Sequence, residues 1–290
     1  MMHLGISSYS YGPYMEKTGT GYFEACDHAK ATGFDAIEFT TLELNHGRGQ
    51  TTPEELARAL KAHCDSLGLA ICAYTVSADF LSGSGGDMAK EVERLKGCVD
   101  VAVLLGAKVM RHDVAWKLAQ GCKSYRDVIR LAAPAVRELT EYAASRGVRT
   151  CTENHGYLMQ DAHRMEEMIL AVGHENYGWL VDMGNFACAD EDSVQAVGIA
   201  APYAFHVHAK DFLKKPGTQM DPGTGWFRSR GGNYLRGTIA GHGDIPIAQC
   251  VYALRRVGYE GFLSIEFEGM EETLPAIEAG YAYLRRVLAD

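Results

Sequence analysis

Short apolar runs alternate along the chain with longer segments that have helical periodicity. The runs predict eight β-strands, at 3–8, 35–39, 69–76, 108–112, 148–153, 178–182, 204–210 and 262–267. The longer segments, apolar at every third or fourth position, predict eight helices, at 22–31, 52–67, 87–105, 125–145, 162–172, 192–199, 247–257 and 272–288. Glycines that follow several of these segments, such as Gly33, Gly68 and Gly106, are typical helix ends.

This alternation predicts the α/β class, because parallel strands need helical crossovers between them. Eight strand–helix units in 290 residues favour a (β/α)8 TIM barrel, whose usual length is about 250 residues. The alternative is a doubly wound open sheet. The segment after the first strand reads SYSYGPY and has no GxGxxG turn, which weighs against that alternative.

One long segment, 212–246, has no clear periodicity and contains eight glycines. It follows the predicted seventh strand, so in a barrel it would lie on the face that carries active sites. Unstructured segments of this length are usually functional or disordered. We therefore predict a single barrel domain over residues 1–290, with a long loop at about 212–246 over the active-site face.

Composition narrows the class of protein. Apolar residues make up 47% and charged residues 22%, which excludes a disordered chain, a coiled coil and a collagen-like fibre. The net charge of −9 argues against a nucleic-acid binder, which needs a basic face. The longest apolar run, 101–105, is too short to cross a membrane, and no signal-peptide pattern is present. Eight cysteines without a CxxC pair indicate reduced thiols in a cytoplasmic protein.

Polar residues follow the predicted strands where a barrel would place its chemistry. The last four strands end near Glu153, Asp182, His208 and Glu266. Neighbouring strands lie about 5 Å apart, so these side chains can converge on one ion. A single carboxylate at a strand end is more often a helix cap or an ion-pair partner, but four such residues on consecutive strands indicate a shared site. Three carboxylates and one imidazole suit one divalent ion, with Mn²⁺, Mg²⁺ or Co²⁺ favoured over Zn²⁺.

Other polar residues near the same strand ends are candidates for substrate binding. These are His112, His155, Asn185 and Lys210, and for each a structural hydrogen bond is the alternative. Arginines in the glycine-rich segment, at 228, 230 and 236, suggest a phosphate. No tight glycine-rich turn opens a helix there, so the sequence slightly favours a substrate without phosphate.

Four motifs together resemble the sugar phosphate isomerase/epimerase family of the xylose-isomerase-like TIM barrels. They are TENHG at 152–156, VDMGN at 181–185, HVHAKD at 206–211 and GYEGFLSIEFEG at 258–269. The resemblance implies that Glu153, Asp182, His208 and Glu266 bind the metal. It also implies that Glu153 and Glu266 move protons at carbon. The same group contains ketose 3-epimerases, inosose dehydratases and endonucleases.

Two departures limit this resemblance. Many members of the group have a histidine where this chain has Asn185, and ketose 3-epimerases have an arginine soon after the strand-seven histidine, where this chain has Lys210 and Lys214. These differences weigh against a ketose 3-epimerase. Asn185 and the net charge of −9 also weigh against an endonuclease.

The sequence thus predicts a metal-dependent isomerase or epimerase that acts on a sugar or keto-sugar through an enediolate. A lyase with the same site, such as an inosose-type dehydratase or a keto-sugar-acid decarboxylase, is the main alternative. A non-catalytic sugar-binding subunit is a third, and the four-residue set counts against it. The expected partner is a small-molecule carbohydrate, without nucleic acid or membrane, and the sequence leaves a homo-oligomer open.

Overall fold

A closed barrel of eight parallel strands forms the centre of the molecule. The structure is a computed structural model that describes residues 2–289, so Met1 and Asp290, the ends of the predicted domain, lie outside the described residues. The barrel strands are β1 His3–Ser7, β2 Ala36–Thr40, β3 Ala70–Val76, β4 Val109–His112, β5 Arg149–Glu153, β6 Tyr177–Asp182, β7 Ala204–Ala209 and β11 Phe262–Ile265. They run around the barrel in the order β1-β11-β7-β6-β5-β4-β3-β2. The predicted (β/α)8 fold is confirmed.

The helices connect the strands, and eight of them match the predicted segments to within two residues. Their bounds are α1 Gly12–Thr18, α2 Tyr22–Thr32, α3 Pro53–Leu67, α4 Met88–Leu105, α5 Tyr125–Ser145, α6 Ala162–Val172, α7 Ser193–Ala200, α8 Ile247–Arg256 and α9 Thr273–Ala289. Helix α1, between β1 and α2, was not predicted. Over residues 2–289, the helices are all too short or too polar to span a membrane.

Local signals explain the sharp ends of these helices. At the start of α3 the Thr52 hydroxyl accepts a hydrogen bond from the Glu55 backbone N–H, and Pro53 occupies the first helical position. At its end Gly68 has φ 62°, a left-handed conformation that glycine adopts without a steric penalty. These signals return the chain to the barrel, where β3 begins.

The barrel interior changes from apolar to polar along the strands. Ala73, Val109, Cys151 and Leu180 form a small apolar cluster inside it. Side chains two positions further along a strand face the same side, and on these four strands they are Thr75, Arg111, Glu153 and Asp182. The apolar cluster therefore forms the floor beneath a set of polar groups at the carboxyl ends of the strands.

The segment after β7 folds into a small antiparallel sheet that the hydrophobic pattern did not predict. It consists of β8 Asp211–Lys215, β9 Phe227–Arg228 and β10 Tyr234–Thr238, in the order β8-β10-β9. Asp211 fixes the base of this segment, because its carboxylate accepts hydrogen bonds from the backbone N–H groups of Gly241, Gly243 and Ile245 at 2.8, 2.9 and 3.1 Å.

This small sheet contacts loops that follow barrel strands. The Tyr157 hydroxyl, in the loop after β5, donates to the Arg228 carbonyl at 2.8 Å. Asp190, in the loop after β6, accepts from the Ser229 hydroxyl at 2.6 Å and the Asn233 amide at 2.7 Å. The sheet is therefore held on the side of the barrel where the strands end.

Candidate metal centre and active site

Four side chains from the last four barrel strands come together at the carboxyl end of the barrel. Glu153, Asp182, His208 and Glu266 each offer one ligand atom, and these atoms all lie within 4.8 Å of one another. The His208 Nδ1 atom lies 3.6 Å from Glu153 Oε1, 3.7 Å from Asp182 Oδ2 and 3.5 Å from Glu266 Oε2. We call these four residues the ligand cluster. It is the set that the sequence proposed.

Two atoms at the centre of this cluster lack a hydrogen-bond partner. Asp182 Oδ2 and His208 Nδ1 are both buried and make no hydrogen bond, although Lys210 Nζ lies 3.5 Å from Asp182 Oδ2. Such atoms cost free energy when they are buried without a partner, usually about 1–3 kcal/mol each. A divalent cation would satisfy both, because carboxylate oxygen and imidazole nitrogen are ordinary metal ligands. The residues present therefore fit a metal site.

Glu38 holds His208 in place from the other side. The His208 Nε2 atom lies 2.9 and 3.0 Å from the two Glu38 oxygens, and His206 Nε2 lies 2.5 Å from Glu38 Oε2. Burial alone would raise the pKa of the Glu38 carboxyl, but the two histidines hold it below its usual range. A carboxylate on the far nitrogen of a ligating histidine fixes the orientation of the ring.

Glu38 also belongs to a second group of possible ligands, with Cys72 and His206. Within this group Glu38 Oε2 already bonds to His206, and both Glu38 oxygens contact His208. The Cys72 thiol has a pKa that burial raises above its usual range, so it is protonated and a poor ligand. We therefore assign Glu38 and His206 to the support of the ligand cluster.

Two buried cations flank the cluster. Arg111 Nη2 lies 2.7 Å from Glu153 Oε2 and 2.8 Å from Asp113 Oδ1, and Lys210 Nζ lies 2.6 Å from Glu266 Oε2. Burial would raise the pKa of both glutamates, but Arg111 holds the Glu153 pKa, and Lys210 the Glu266 pKa, below the usual range. Both glutamates are therefore ionised at neutral pH. The sequence pattern did not indicate a role for Arg111.

Three of the four predicted substrate-binding residues adjoin the cluster. The Asn185 amide donates to Glu153 Oε1 at 3.0 Å, and Lys210 contacts Glu266 as described above. His155 Nδ1 lies 3.1 Å from Asp113 Oδ1, and its ring meets the edge of Trp116 at 4.8 Å between centroids. Burial would lower the His155 pKa, but the Asp113 carboxylate and the Glu153 charge raise it overall.

The structure does not bring His112 to this cluster. Its ring lies between Phe80 and Tyr177, with centroid distances of 5.5 and 6.0 Å, and its Nδ1 contacts the Asp113 carbonyl oxygen at 2.9 Å. Neighbouring residues of a strand face opposite sides, and on β4 it is Arg111 that faces the barrel interior.

Lowering the pH from 7 to 4.5 is expected to destabilise the fold through His112. Burial lowers the pKa of His112 to about 4, whereas a histidine in an unfolded chain titrates near 6.5. Between these values only the unfolded chain binds the proton. The free energy of unfolding therefore falls as the pH falls from about 6.5 to about 4, by up to about 3 kcal/mol in total. Urea unfolding at pH 7 and pH 4.5 should show that the free energy of unfolding falls less for His112→Phe than for the wild type. An equal fall in both proteins would contradict this prediction.

A cavity of about 300 Å³ lies beside the ligand cluster. Its lining includes Arg111, Glu153, His155, Lys210 and Glu266. We call it the inner cavity. Its volume is at the lower end of the range for small-molecule sites, about 300–1,000 Å³. A small ligand in this cavity would contact both glutamates and both cations.

Comparisons with known proteins place this geometry in context. A family model described as a xylose isomerase-like TIM barrel matches residues 26–287. No curated protein matches the sequence significantly.

Solved structures with the same fold cover nearly the whole chain. D-allulose 3-epimerase from Methylomonas sp. is 18% identical, with a TM-score of 0.73 over 99% of this chain and 98% of that one. The probable 3-DHS dehydratase AsbF from Bacillus anthracis is 16% identical, with a TM-score of 0.73 over 98% and 99%. The IOLI protein, solved with a zinc atom, is 17% identical, with a TM-score of 0.76 over 99% and 98%. Identities this low show similarity of fold alone.

Proposed function

Because the chain belongs to the xylose isomerase-like TIM barrel family, we propose that it is a divalent-metal-dependent isomerase or epimerase of a sugar or keto-sugar. The observation that carries the proposal is the ligand cluster, with two buried atoms at its centre that make no hydrogen bond. Under this proposal Glu153, Asp182, His208 and Glu266 bind one metal ion. The oxygen-rich set favours Mn²⁺, Mg²⁺ or Co²⁺.

The metal would supply a Lewis acid that lowers the pKa of the C–H next to a substrate carbonyl. The protein supplies the groups that move the proton. Glu153 is on β5 and Glu266 follows β11, with β6 and β7 between them in the barrel, so the two carboxylates approach a ligand from different directions. Because Arg111 and Lys210 keep both ionised, one can accept the proton from carbon. The same glutamic acid can return that proton to the adjacent carbon for an isomer, whereas an epimer requires the other glutamate to take up a proton from water and deliver it to the opposite face.

Neighbouring polar groups would orient the substrate. Under the proposal the Lys210 ammonium stabilises the negative oxygen of the enediolate, since it is buried and already within 2.6 Å of Glu266. His155 and Asn185 bind substrate hydroxyls. The aromatic ring of Trp116 and the Asp113 carboxylate fix the position of the His155 ring.

A lyase is the second candidate, and one observation favours it. Loss of a hydroxyl from the enediolate needs an acid beside the leaving oxygen. His155 lines the inner cavity, and its pKa is raised overall because Asp113 and Glu153 outweigh the effect of burial. A protonated His155 could serve as that acid.

Deuterium exchange tests the proposal. The Mn²⁺-loaded protein is incubated in D₂O with a panel of ketoses and inososes, and the products are analysed by NMR and mass spectrometry. Deuterium at the carbon next to the carbonyl, with an epimer or isomer, is the expected result. Exchange with release of a product that absorbs in the near ultraviolet would favour the lyase. Absence of exchange across the panel, from protein that also fails to retain metal, would refute both.

The segment 212–246 is proposed to border the bound substrate. In support, the Gly237 backbone packs directly against Glu268, where an added Cβ would lie 2.6 Å from the Glu268 carbonyl oxygen. Backbone hydrogen exchange in this segment should slow when a metal-chelating ligand binds. Unchanged exchange would contradict the proposal.

A further inference from the structure

A second cavity adjoins the inner one and extends away from the ligand cluster. Its volume is about 390 Å³, and we call it the outer cavity. Four residues line both cavities, namely Tyr9, Thr40, Glu43 and Glu268. A ligand that reached the metal with one end would therefore place its other end in the outer cavity.

The outer cavity is acidic. Its charged lining consists of Glu16, Glu43 and Glu268, with His46 lying 3.5 Å from Glu43. Over residues 2–289 no lysine or arginine is part of this lining. Lys210 lies 3.4 Å from Glu268 and offsets its charge. The charges of Glu16 and Glu43 are not offset by any lysine or arginine in the described lining of the cavity.

The cations of the inner cavity are already neutralised. Arg111 pairs with Asp113 and Glu153, and Lys210 pairs with Glu266 at 2.6 Å. Both cations lie at the metal end, and neither is part of the lining of the outer cavity. An anionic group at the distal end of a ligand would therefore find no lysine or arginine in the lining around it.

The three arginines of the glycine-rich segment lie outside the linings of both cavities. Arg228 donates to the Gly232 carbonyl at 2.9 Å, and Arg230 pairs with Asp161 at 2.8 Å. Arg236 lies over the Trp226 ring at 5.5 Å, and its buried Nε makes no hydrogen bond. None of the three is therefore placed to bind a phosphate in either cavity.

An unpaired hydroxyl indicates what kind of ligand group fits. Thr75 lines the inner cavity and is 8% exposed, and its Oγ1 atom has no hydrogen-bond partner. Ser8 and Thr40, with hydroxyls 3.3 Å apart, line the outer cavity. Hydroxyl side chains can both donate to and accept from the hydroxyls of a ligand.

We infer that the substrate is a polyhydroxylated compound without an anionic group at its distal end, that this end occupies the outer cavity, and that phosphorylated sugars are rejected. This inference rests on the proposed function, because the metal must hold the reacting end of the substrate. Thr75 binds a substrate hydroxyl, and Glu16 and Glu43 repel a terminal phosphate. Both glutamates are exposed, so their repulsion of an anion is strongest at low salt and weakens as salt is added.

Three hydroxamates that differ only at the tail test the inference. The probes are 4-hydroxybutanohydroxamate, 4-(phosphonooxy)butanohydroxamate and 4-aminobutanohydroxamate, because the hydroxamate head chelates a metal without regard to sugar stereochemistry. Binding to the Mn²⁺-loaded protein is measured by calorimetry at pH 8, where histidine side chains are generally uncharged. At low salt we expect the phosphate tail to bind at least about tenfold more weakly than the hydroxyl tail, and the amine tail at least as tightly.

Charge reversal identifies the residues responsible. Glu43→Lys and Glu16→Lys should each reduce the ratio of the dissociation constants of the phosphate and hydroxyl probes by about fivefold or more at low salt. Glu175→Lys makes the same change in net charge in the loop before β6, at the opposite end of the barrel. This variant should leave the ratio of the two dissociation constants unchanged.

Each other outcome overturns a stated part of the inference. Equal or tighter binding of the phosphate tail by the wild type would refute it. If the wild type binds the phosphate probe more weakly but neither lysine variant reduces this difference in affinity, Glu16 and Glu43 are not its cause. If no hydroxamate binds the Mn²⁺-loaded protein, the proposed metal centre fails, and the inference that rests on it fails as well.

Discussion

Replacing His208 by alanine should abolish metal binding and turnover while the barrel remains folded. The variant removes the nitrogen ligand of the cluster, whose Nδ1 lies 3.5–3.7 Å from three carboxylate oxygens. Without it three carboxylates would face one another across the site, with only Arg111 and Lys210 to offset them. We expect Mn²⁺ affinity to fall by more than about 100-fold, because loss of a supporting residue alone usually costs about 10–100-fold. Metal content after dialysis and titration calorimetry measure this.

His206→Ala is the matched control. His206 is buried on the same strand and also contacts Glu38, at 2.5 Å, but it is not part of the ligand cluster. Each variant takes one partner from Glu38, so the free energy of unfolding should fall by about 1–3 kcal/mol in both. His208→Ala should lose the metal, whereas His206→Ala removes only a supporting contact and should weaken metal binding by no more than about 10–100-fold. If His206→Ala loses the metal to the same extent, the ion lies in the group of Glu38, Cys72 and His206 instead.

Glu153→Gln and Glu266→Gln should each reduce turnover by about 10²–10⁴-fold, the usual contribution of a general acid or base. Glutamine keeps the shape and an oxygen for the metal but cannot accept the proton. Epimerisation needs both groups, whereas exchange with solvent needs only the first base. One variant should therefore lose deuterium exchange entirely, and the other should lose turnover but retain some exchange.

Glu91→Gln provides the control for burial and charge. Glu91 is 2% exposed and pairs with Arg94 at 2.7 Å, so it resembles the two site glutamates in its surroundings. It lies on α4, outside both cavities, and its variant should keep wild-type turnover per folded molecule. Metal content must be measured in all three variants. Wild-type turnover in metal-loaded Glu153→Gln and Glu266→Gln would show that these carboxylates are merely structural.

The ligand cluster could be predicted from the sequence because its members are residue types that bind metals and because they stand at the ends of predicted strands. Glu153 and Asp182 each end a short apolar strand, and parallel strands in a barrel all end on one side. Once the barrel fold is predicted, the two side chains are expected to lie near each other even though no side-chain contact is known. Glu266 and His208 each had a competing residue two positions away on the same face, and the resemblance to known motifs selected between them.

Other parts of the site could not be predicted because they depend on register. Strand β4 ends in Arg111 and His112, and which of them faces inward is decided by pairing with β3 and β5. The support by Glu38 joins residues 168 and 170 positions apart, and no local pattern indicates such a pair. The small sheet after β7 was missed because its strands have two to five residues, too few to show periodicity.

The clamp formed by Asp211 has a consequence for how this barrel could diversify. Because one carboxylate joins the start of the excursion after β7 to Gly241, Gly243 and Ile245 near its end, the two ends stay together whatever lies between them. The entropic cost of closing a loop grows only slowly with its length. The residues between the two anchor points can thus be shortened, lengthened or exchanged for those of another protein with little effect on β7 or α8. The segment between the anchor points is therefore a replaceable insertion at the carboxyl end of the barrel.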